Sequence, residues 1–270
     1  MARKTINIFP GTDFEIVHDI DEKPNQIDFK LHNHDDIYEI VLLLSGDCEF
    51  YVEGNTYAMK PHDIIITRPF ELHHITCLTE KPYERILLFI KAGYFDKHYC
   101  QNYLEVFCNR PLGIGNLIAA EVARAKLIPC IQRLSDYADA KEYKVTEHAL
   151  FEFLYLLNRT KNEALDFYTK DERIRNVILY INEHLSEEIN LDTLAEKFYT
   201  SKYHLCRVFK QSTGYTITQY ANYKRIMVAR ELHKSGLTLL QASLDAGFNS
   251  YPHFYRTYLR FIGKAPNDEY

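Results

Sequence analysis

The sequence predicts an α+β protein in two parts. A β-rich N-terminal half of jelly-roll type, with covering helices, precedes an all-α C-terminal half that carries two helix-turn-helix units in tandem. Three observations predict this. Residues 1 to about 90 consist of short runs rich in Val, Ile, Tyr and Phe, broken by turn residues. Beyond Tyr94 apolar residues recur at helical spacing. From Leu191 the helical pattern forms a unit that returns about 45 residues later.

In the N-terminal half, strands are expected at Val41 to Leu44, Glu49 to Val52, Thr56 to Met59, Asp63 to Thr67, His74 to Cys77 and Ile86 to Ile90. Glu53-Gly54-Asn55 reads as a hairpin tip, because Gly and Asn tolerate positive φ. Many short strands at close spacing favour a small jelly roll. Helices follow, over Leu117 to Leu134 with an interruption at Pro129, and over Val145 to Arg159. The second carries Leu150, Leu154 and Leu157, which either cover the barrel or form the seam of a homodimer. The expected boundaries are 1–160 for the N-terminal half (barrel about 1–92, helices about 94–160), 161–168 for a polar linker and 169–270 for the helical half. Thr169-Lys170-Asp171-Glu172 has the spacing of a capping box and opens the first helix of that half.

In the first repeat, Leu191, Leu194, Ala195 and Phe198 mark one helix, Tyr199 to Ser201 interrupt it, and Leu205, Val208 and Phe209 mark the next. Ser201 is the expected N-cap of that second helix and Gly214 its stop. Tyr203, Cys206, Arg207 and Lys210 then share the outward face, the face a recognition helix offers to a major groove. In the second repeat Leu237, Leu240 and Leu244 lead into Ala246-Gly247-Phe248. Phe254, Thr257, Tyr258 and Phe261 face inward there, with His253, Arg256 and Arg260 outward. Thr218 to Lys234 reads as one long helix that separates the two units.

The net charge of −5 is unevenly placed. Residues 1–170 hold 19 basic against 26 acidic residues, whereas 197–264 hold 11 against 2. Binding to DNA phosphates requires such a concentration of positive charge. No apolar run approaches the roughly 18 residues of a membrane span, and nothing behind Met1 resembles a signal-peptide core, so a cytoplasmic protein without membrane partners is expected. The six cysteines form no close C-x-x-C pair, which argues against a disulfide framework or a zinc ribbon.

Over Leu191 to Pro266 the chain resembles the AraC/XylS family of transcription regulators. Leu194-Ala195, Ser201, Leu205, Arg207, Phe209-Lys210, Gly214, Tyr220, Arg225, Ala229, Ala246-Gly247-Phe248, Phe254, Arg256, Gly263 and Pro266 fall at the family's spacing. Ala242-Ser243 stands where Ile-Ala is usual, which is expected to loosen the second helix pair, and Tyr258-Leu259 stands in place of Phe-Lys. The resemblance implies recognition helices that enter adjacent major-groove segments. It places base contacts at Tyr203, Cys206 and Arg207, and at Tyr251, His253, Tyr255 and Arg256. Arg207 and Arg256 have the fork geometry for guanine O6 and N7. An intradomain salt bridge is the alternative for Arg256. Ser201, Lys202, Lys210 and Arg260 are cast as phosphate contacts.

The N-terminal half also resembles the cupin sensor common in that family. His32-Asn33-His34, Glu39 and Gly46 match the first cupin motif in spacing; Pro61-His62-Asp63 with His73 or His74 matches the second loosely. His32, His34, Glu39, His73 and His74 are therefore the candidate effector pocket. No cofactor and no metal are expected, with His32, His34, Glu39 and His73 as the alternative metal set. The resulting expectation is an activator that binds double-stranded DNA as a homodimer and responds to a small molecule. Sugars and contact with RNA polymerase enter through the resemblance alone. The rival readings are a metal-dependent cupin enzyme fused to a DNA-binding module, and a constitutive regulator whose cupin only dimerises.

Overall fold

The computed structural model describes residues 3–10, 13–24, 32–160 and 172–268. The chain divides into two compact units, Met1–Lys170 and Asp171–Tyr270. The expected linker at 161–168 and the box opening at Thr169 lie outside the described residues.

The first unit is built on β1 (Arg3–Pro10), β2 (Phe14–Asp21), β3 (Ile37–Ser45), β4 (Cys48–Val52), β5 (Asn55–Met59), β6 (Ile64–Thr67), β7 (His73–Cys77), β8 (Tyr83–Lys91) and β9 (Leu117–Ile118). One sheet runs β1-β2-β8-β3-β6-β9 and a smaller one β5-β4-β7, with antiparallel pairing throughout. Side-chain alternation assigns each face of the large sheet. Tyr38, Ile40 and Leu42 of β3 join Ile86, Leu88 and Ile90 of β8 in a core shared with the helices, while Val41, Leu43 and Leu87 join Phe50, Val52 and Tyr57 of the small sheet. Burial on both faces explains why β3 reads as an almost continuous apolar run, interrupted only by Glu39 on the inner face.

Helices α1 (Ala92–Lys97), α2 (Glu105–Cys108), α3 (Ala120–Ala123), α4 (Leu127–Asp139) and α5 (Tyr143–Arg159) follow β8. Three expectations change here. Leu117–Ile118 is a strand paired to Ile64–Ile65, not the start of a helix. Pro129 interrupts nothing, because it occupies the first turn of α4, where a missing N–H breaks no helical hydrogen bond. Leu150, Leu154 and Leu157 are each 0% exposed within a single chain, packed with Leu127, Ile131 and Leu134 of α4 in the common core. They have no surface to offer a second copy, so the dimer seam assigned to them is withdrawn.

The hairpin tip also shifts by one residue. Val52 pairs with Asn55, leaving Glu53-Gly54 as a two-residue turn with φ of 46° and 90°. This is the doubly positive geometry that tight hairpins favour, and Glu53, not Asn55, adopts it beside the glycine. The tip is covered: Glu53 Oε1 accepts from Leu72 N (2.8 Å), and Gly113 O accepts from Asn55 Nδ2 (2.7 Å) and Tyr57 OH (2.6 Å). A Cβ on Gly113 would stand 2.7 Å from both Glu53 Cβ and Val52 O.

The second unit comprises α6 (Glu172–Glu183), α7 (Leu191–Lys197), α8 (Lys202–Thr213), α9 (Ile217–Lys234), α10 (Leu239–Asp245) and α11 (Tyr251–Ile262). The starts of α7 to α10 are capped by short polar side chains. Asn190 Oδ1 accepts from Asp192 N and Thr193 N, Thr216 and Gln219 form a reciprocal capping box, and Thr238 accepts from Gln241 N. Leu240 and Leu244 correct the second-repeat pattern: they are 53% and 43% exposed, and Ala242, Ser243 and Ala246 supply the buried side instead. The Ala242-Ser243 pair is fully buried, and the Ser243 hydroxyl donates to Leu240 O at 2.7 Å, which leaves no polar atom to disturb the packing.

Candidate DNA-reading helices and sensor site

Helices α8 and α11 are the two copies of one design. Each has 12 residues, a serine at the N-cap position and a left-handed glycine at the C-cap, Ser201 with Gly214 and Ser250 with Gly263. Ser201 Oγ accepts from His204 N at 3.2 Å, whereas Ser250 makes no side-chain cap. Leu205, Phe209 and Thr213 bury one face of α8; Phe254, Thr257 and Tyr258 bury one face of α11.

On the outward face of α8, Tyr203 is 79% exposed, Arg207 and Lys210 are exposed and Cys206 is half-buried. The Arg207 guanidinium lies 3.4 Å from both Gln211 Oε1 and His204 Nδ1, between neighbours one turn on either side. His204 and Gln211 escaped the sequence reading, although their spacing of three and four from Arg207 is the signal that finds them. Lys202 pairs with Asp192 at 2.9 Å across the turn of the first helix-turn-helix repeat. On α11, His253, Arg256 and Arg260 are exposed, and Tyr251 and Tyr255 are half-buried with ring centroids 6.4 Å apart. Arg256 forms no ion pair among the described residues, so the salt-bridge alternative finds no partner there.

In the first unit β3 aims Glu39 at the interior, and β7 aims His73 at the same point. His32 joins through a bridge to His73, and His34 lies two residues on. One ligand atom from each of His32, His34, Glu39 and His73 falls within 4.8 Å of all the others. Glu39 Oε2 is 2.8 Å from His73 Nε2 and 3.5 Å from His34 Nε2. These three buried atoms complete no hydrogen bond of proper geometry among the described residues. Burial pushes the Glu39 carboxyl up, but the His73 and His34 rings outweigh it and hold the group well below the usual carboxylate range. Burial likewise pushes His73 down, and the Glu39 carboxylate reverses this and raises it. His73 Nδ1 donates to Glu71 O at 2.8 Å, which fixes the ring and directs Nε2 at Glu39.

Such a set fits a divalent transition ion: three imidazoles and a carboxylate that converge on one point. His74 is separated from it. Alternation along β7 turns His74 to the opposite face, against the Tyr51 ring at 4.9 Å, and it leaves the candidate pocket. Phe50 and Phe89 line the site instead, their rings 5.8 Å from His73 and 5.6 Å from His34. Behind it lies a network the sequence reading also missed. Glu71, 0% exposed, holds Arg110 through two 2.7 Å contacts and accepts from Gly113 N (3.0 Å) and Asn116 Nδ2 (3.1 Å). Deeper between the sheets, Arg85 is buried against Asp19 (3.5 Å) and Asp21, with its guanidinium 4.3 Å over the Tyr83 ring.

Comparison with known proteins agrees with both halves. A helix-turn-helix domain profile matches residues 194–269 and a cupin domain profile residues 20–89. The HTH-type transcriptional activator RhaS of Escherichia coli O6:H1 is 23% identical, across 98% of this chain and 95% of its own length. The chain belongs to the AraC/XylS family of transcription regulators. A DNA-binding regulator of this family joins a cupin domain to a C-terminal helix-turn-helix domain, the order observed here. Another relative, the uncharacterized HTH-type transcriptional regulator YdiP of Escherichia coli K12, is 22% identical over 88% of this chain and 79% of its own. Among solved structures, ToxT from Vibrio cholerae O395 is 16% identical over 96% of this chain and 97% of that one, with a TM-score of 0.39. No helix among the described residues is long and apolar enough to cross a membrane.

Proposed function

We propose that this regulator is an effector-responsive activator that reads two adjacent major-groove segments with α8 and α11. The single observation that supports it most is the outward polar face repeated on α8 and α11. In this reading Tyr203, Cys206 and Arg207 on α8, and Tyr251, His253, Tyr255 and Arg256 on α11, make the base contacts. Ser201, Lys202, Lys210 and Arg260 bind phosphates. For Lys202 this means exchanging its Asp192 partner for the backbone of DNA. His204 and Gln211 orient Arg207 toward guanine. Arg207→Ala is therefore expected to lose about 1–3 kcal/mol of discrimination at one base pair. Lys210→Ala is expected to weaken all sequences alike and to flatten the salt dependence. Binding to a duplex library across a salt series separates the two; equal, unselective losses would reject base reading by Arg207.

A second reading concerns the sensor. His32, His34, Glu39 and His73 would hold a divalent ion such as Mn, Fe, Ni or Zn, and this replaces the metal-free expectation. Convergence of the four, with the carboxylate of Glu39 buried among the imidazoles, supports it. A bound ion supplies a Lewis-acidic site for an oxygen of the effector. The four side chains fix its position, and Phe50 and Phe89 offer ring faces to an apolar or sugar-like surface, since the chain has no Trp. The role is recognition, without catalysis. Metal analysis of the purified protein is expected to find about one ion per chain, lost in His73→Ala and removed by chelators. Equal metal content in parent and variant would overturn the assignment. Sugars are the effector class to test first by calorimetry. Dimer formation and contact with RNA polymerase complete the proposal.

A further inference from the structure

Of the six cysteines only Cys48 and Cys77 lie in strands, and they lie directly opposite one another, in β4 and β7. Antiparallel pairs alternate between positions that exchange backbone hydrogen bonds and positions that do not. Leu78 N donates to Asp47 O at 2.8 Å, so Asp47 and Leu78 form a bonded pair. Cys48 and Cys77, one step inward, are therefore a non-hydrogen-bonded pair. At such positions the Cα atoms stand about 4.5 Å apart and the side chains are closest. Disulfides span Cα separations of about 4.4–6.8 Å. Both thiols point to the inner face: Cys48 is 1% exposed, in the cluster with Phe50 and Val52, and Cys77 packs against that cluster while remaining half-buried. The register is pinned just outside the pair, where Asp47 accepts from Thr79 Oγ1 at 3.1 Å and pairs with Lys81 at 2.9 Å.

We propose that Cys48 and Cys77 are a reversible dithiol–disulfide site, whose oxidant is a low-molecular-weight disulfide. The Cys77 thiolate, the more accessible, attacks one sulfur of the oxidant and expels the first small thiolate, leaving a mixed disulfide on Cys77. The Cys48 thiol then loses its proton and displaces the second. Two protein thiols are oxidised, the small disulfide is reduced to two thiols, and the Cys48–Cys77 bond closes. Strand pairing in the reduced protein already brings the cysteines together, so closure needs little movement. Burial governs the rate. It pushes the Cys77 thiol up to about 11, against the attraction of Arg85, and Asp21 adds to the rise. Cys48, facing Cys77, Asp47, Asp63 and Arg85, is pushed up further by burial. The pair is a slow, stable couple, distinct from a low-pKa peroxide sensor, and it staples the two strands that carry His73 and Phe50.

The test uses the full chain. Purified protein is held with excess glutathione disulfide, quenched with a thiol-blocking reagent and cut by a glutamate-specific protease. Cleavage at Glu39, Glu49, Glu71 and Glu80 places the two cysteines in separate peptides. The expected result is a linked peptide pair, 40–49 joined to 72–80, which disappears on reduction and is absent from Cys77→Ser. Its rate of formation should rise roughly tenfold per pH unit between pH 7 and 9, as the thiolate fraction grows. In denaturant, Cys77 should instead pair indiscriminately with the other cysteines. Recovery of the two peptides unlinked, in samples where exposed Cys108 has become glutathionylated, would overturn the assignment. So would a link from Cys77 to another cysteine in the folded protein.

Discussion

Gly247→Ala is expected to destabilise the C-terminal unit by about 2–6 kcal/mol, since overpacking and a strained left-handed backbone each cost about 1–3 kcal/mol. Gly247 has φ +97°, and an added Cβ would stand 2.2 Å from Leu185 O, 2.9 Å from Ser186 Cα and 3.0 Å from Arg225 Nε. The first two are backbone atoms and the third is held: Arg225 Nε donates to Leu185 O at 2.7 Å and its Nη2 to Glu187 O at 2.6 Å. Alanine therefore disturbs the junction where the turn of the second helix-turn-helix repeat meets the loop after α6. Denaturant unfolding of the full chain, followed by circular dichroism, should show the earlier loss of helix, with DNA affinity falling in step. Tyr199 provides the contrast. It holds the corresponding place in the first helix-turn-helix repeat, also with positive φ (51°), yet is 95% exposed. Tyr199→Gly should leave stability unchanged or raise it by about 1 kcal/mol through release of left-handed strain. If Gly247→Ala melts with the parent, the 185–186 loop gives way easily and the junction is not the constraint described.

Glu71→Ala should cost the N-terminal unit about 3–5 kcal/mol, the usual penalty for stranding one member of a buried ion pair. Arg110 would lose both carboxylate contacts while its side chain is only 7% exposed, and Gly113 N and Asn116 Nδ2 would each lose an acceptor. Burial pushes the Glu71 carboxyl up, and Arg110 more than offsets this, holding it below its ordinary value. The same side chain accepts from Arg68 N at 3.1 Å, which fixes the chain entering His73. Metal affinity should fall together with stability. The double variant with Arg110→Ala should be less damaging than the sum of the two single changes, because no unpaired charge remains. Additive losses in thermal unfolding would show that the pair acts through separate contacts.

Periodicity made much of this legible. The outward face of α8 follows from Leu205 and Phe209 alone, and the Ser201 cap from one residue type at one place. What periodicity does not carry is the identity of the partner. Leu150, Leu154 and Leu157 repeat as a stripe whether they meet α4 or a second chain, and only the tertiary packing decides. His73 and His74 are adjacent in sequence, and register alone sends one inward and the other out. Glu71 with Arg110, and Cys48 with Cys77, are pairings between distant positions, set by strand order and loop path. Pro129 misled because its effect depends on where the helix starts. The four candidate metal ligands were visible as types, but their convergence rests on Glu39 and His73 belonging to facing sheets.

The covered hairpin at Glu53-Gly54 bears on how chains of this design can vary in length. Its tip is roofed by Gly113 and tied to Leu72, so an inserted residue would have to push aside the segment that carries Arg110 and Asn116. The turn at Ala140-Lys141 between α4 and α5 is exposed and bears no such roof. Descendants of this sequence should therefore gain and lose residues at the helical turn, while the hairpin keeps its two-residue tip.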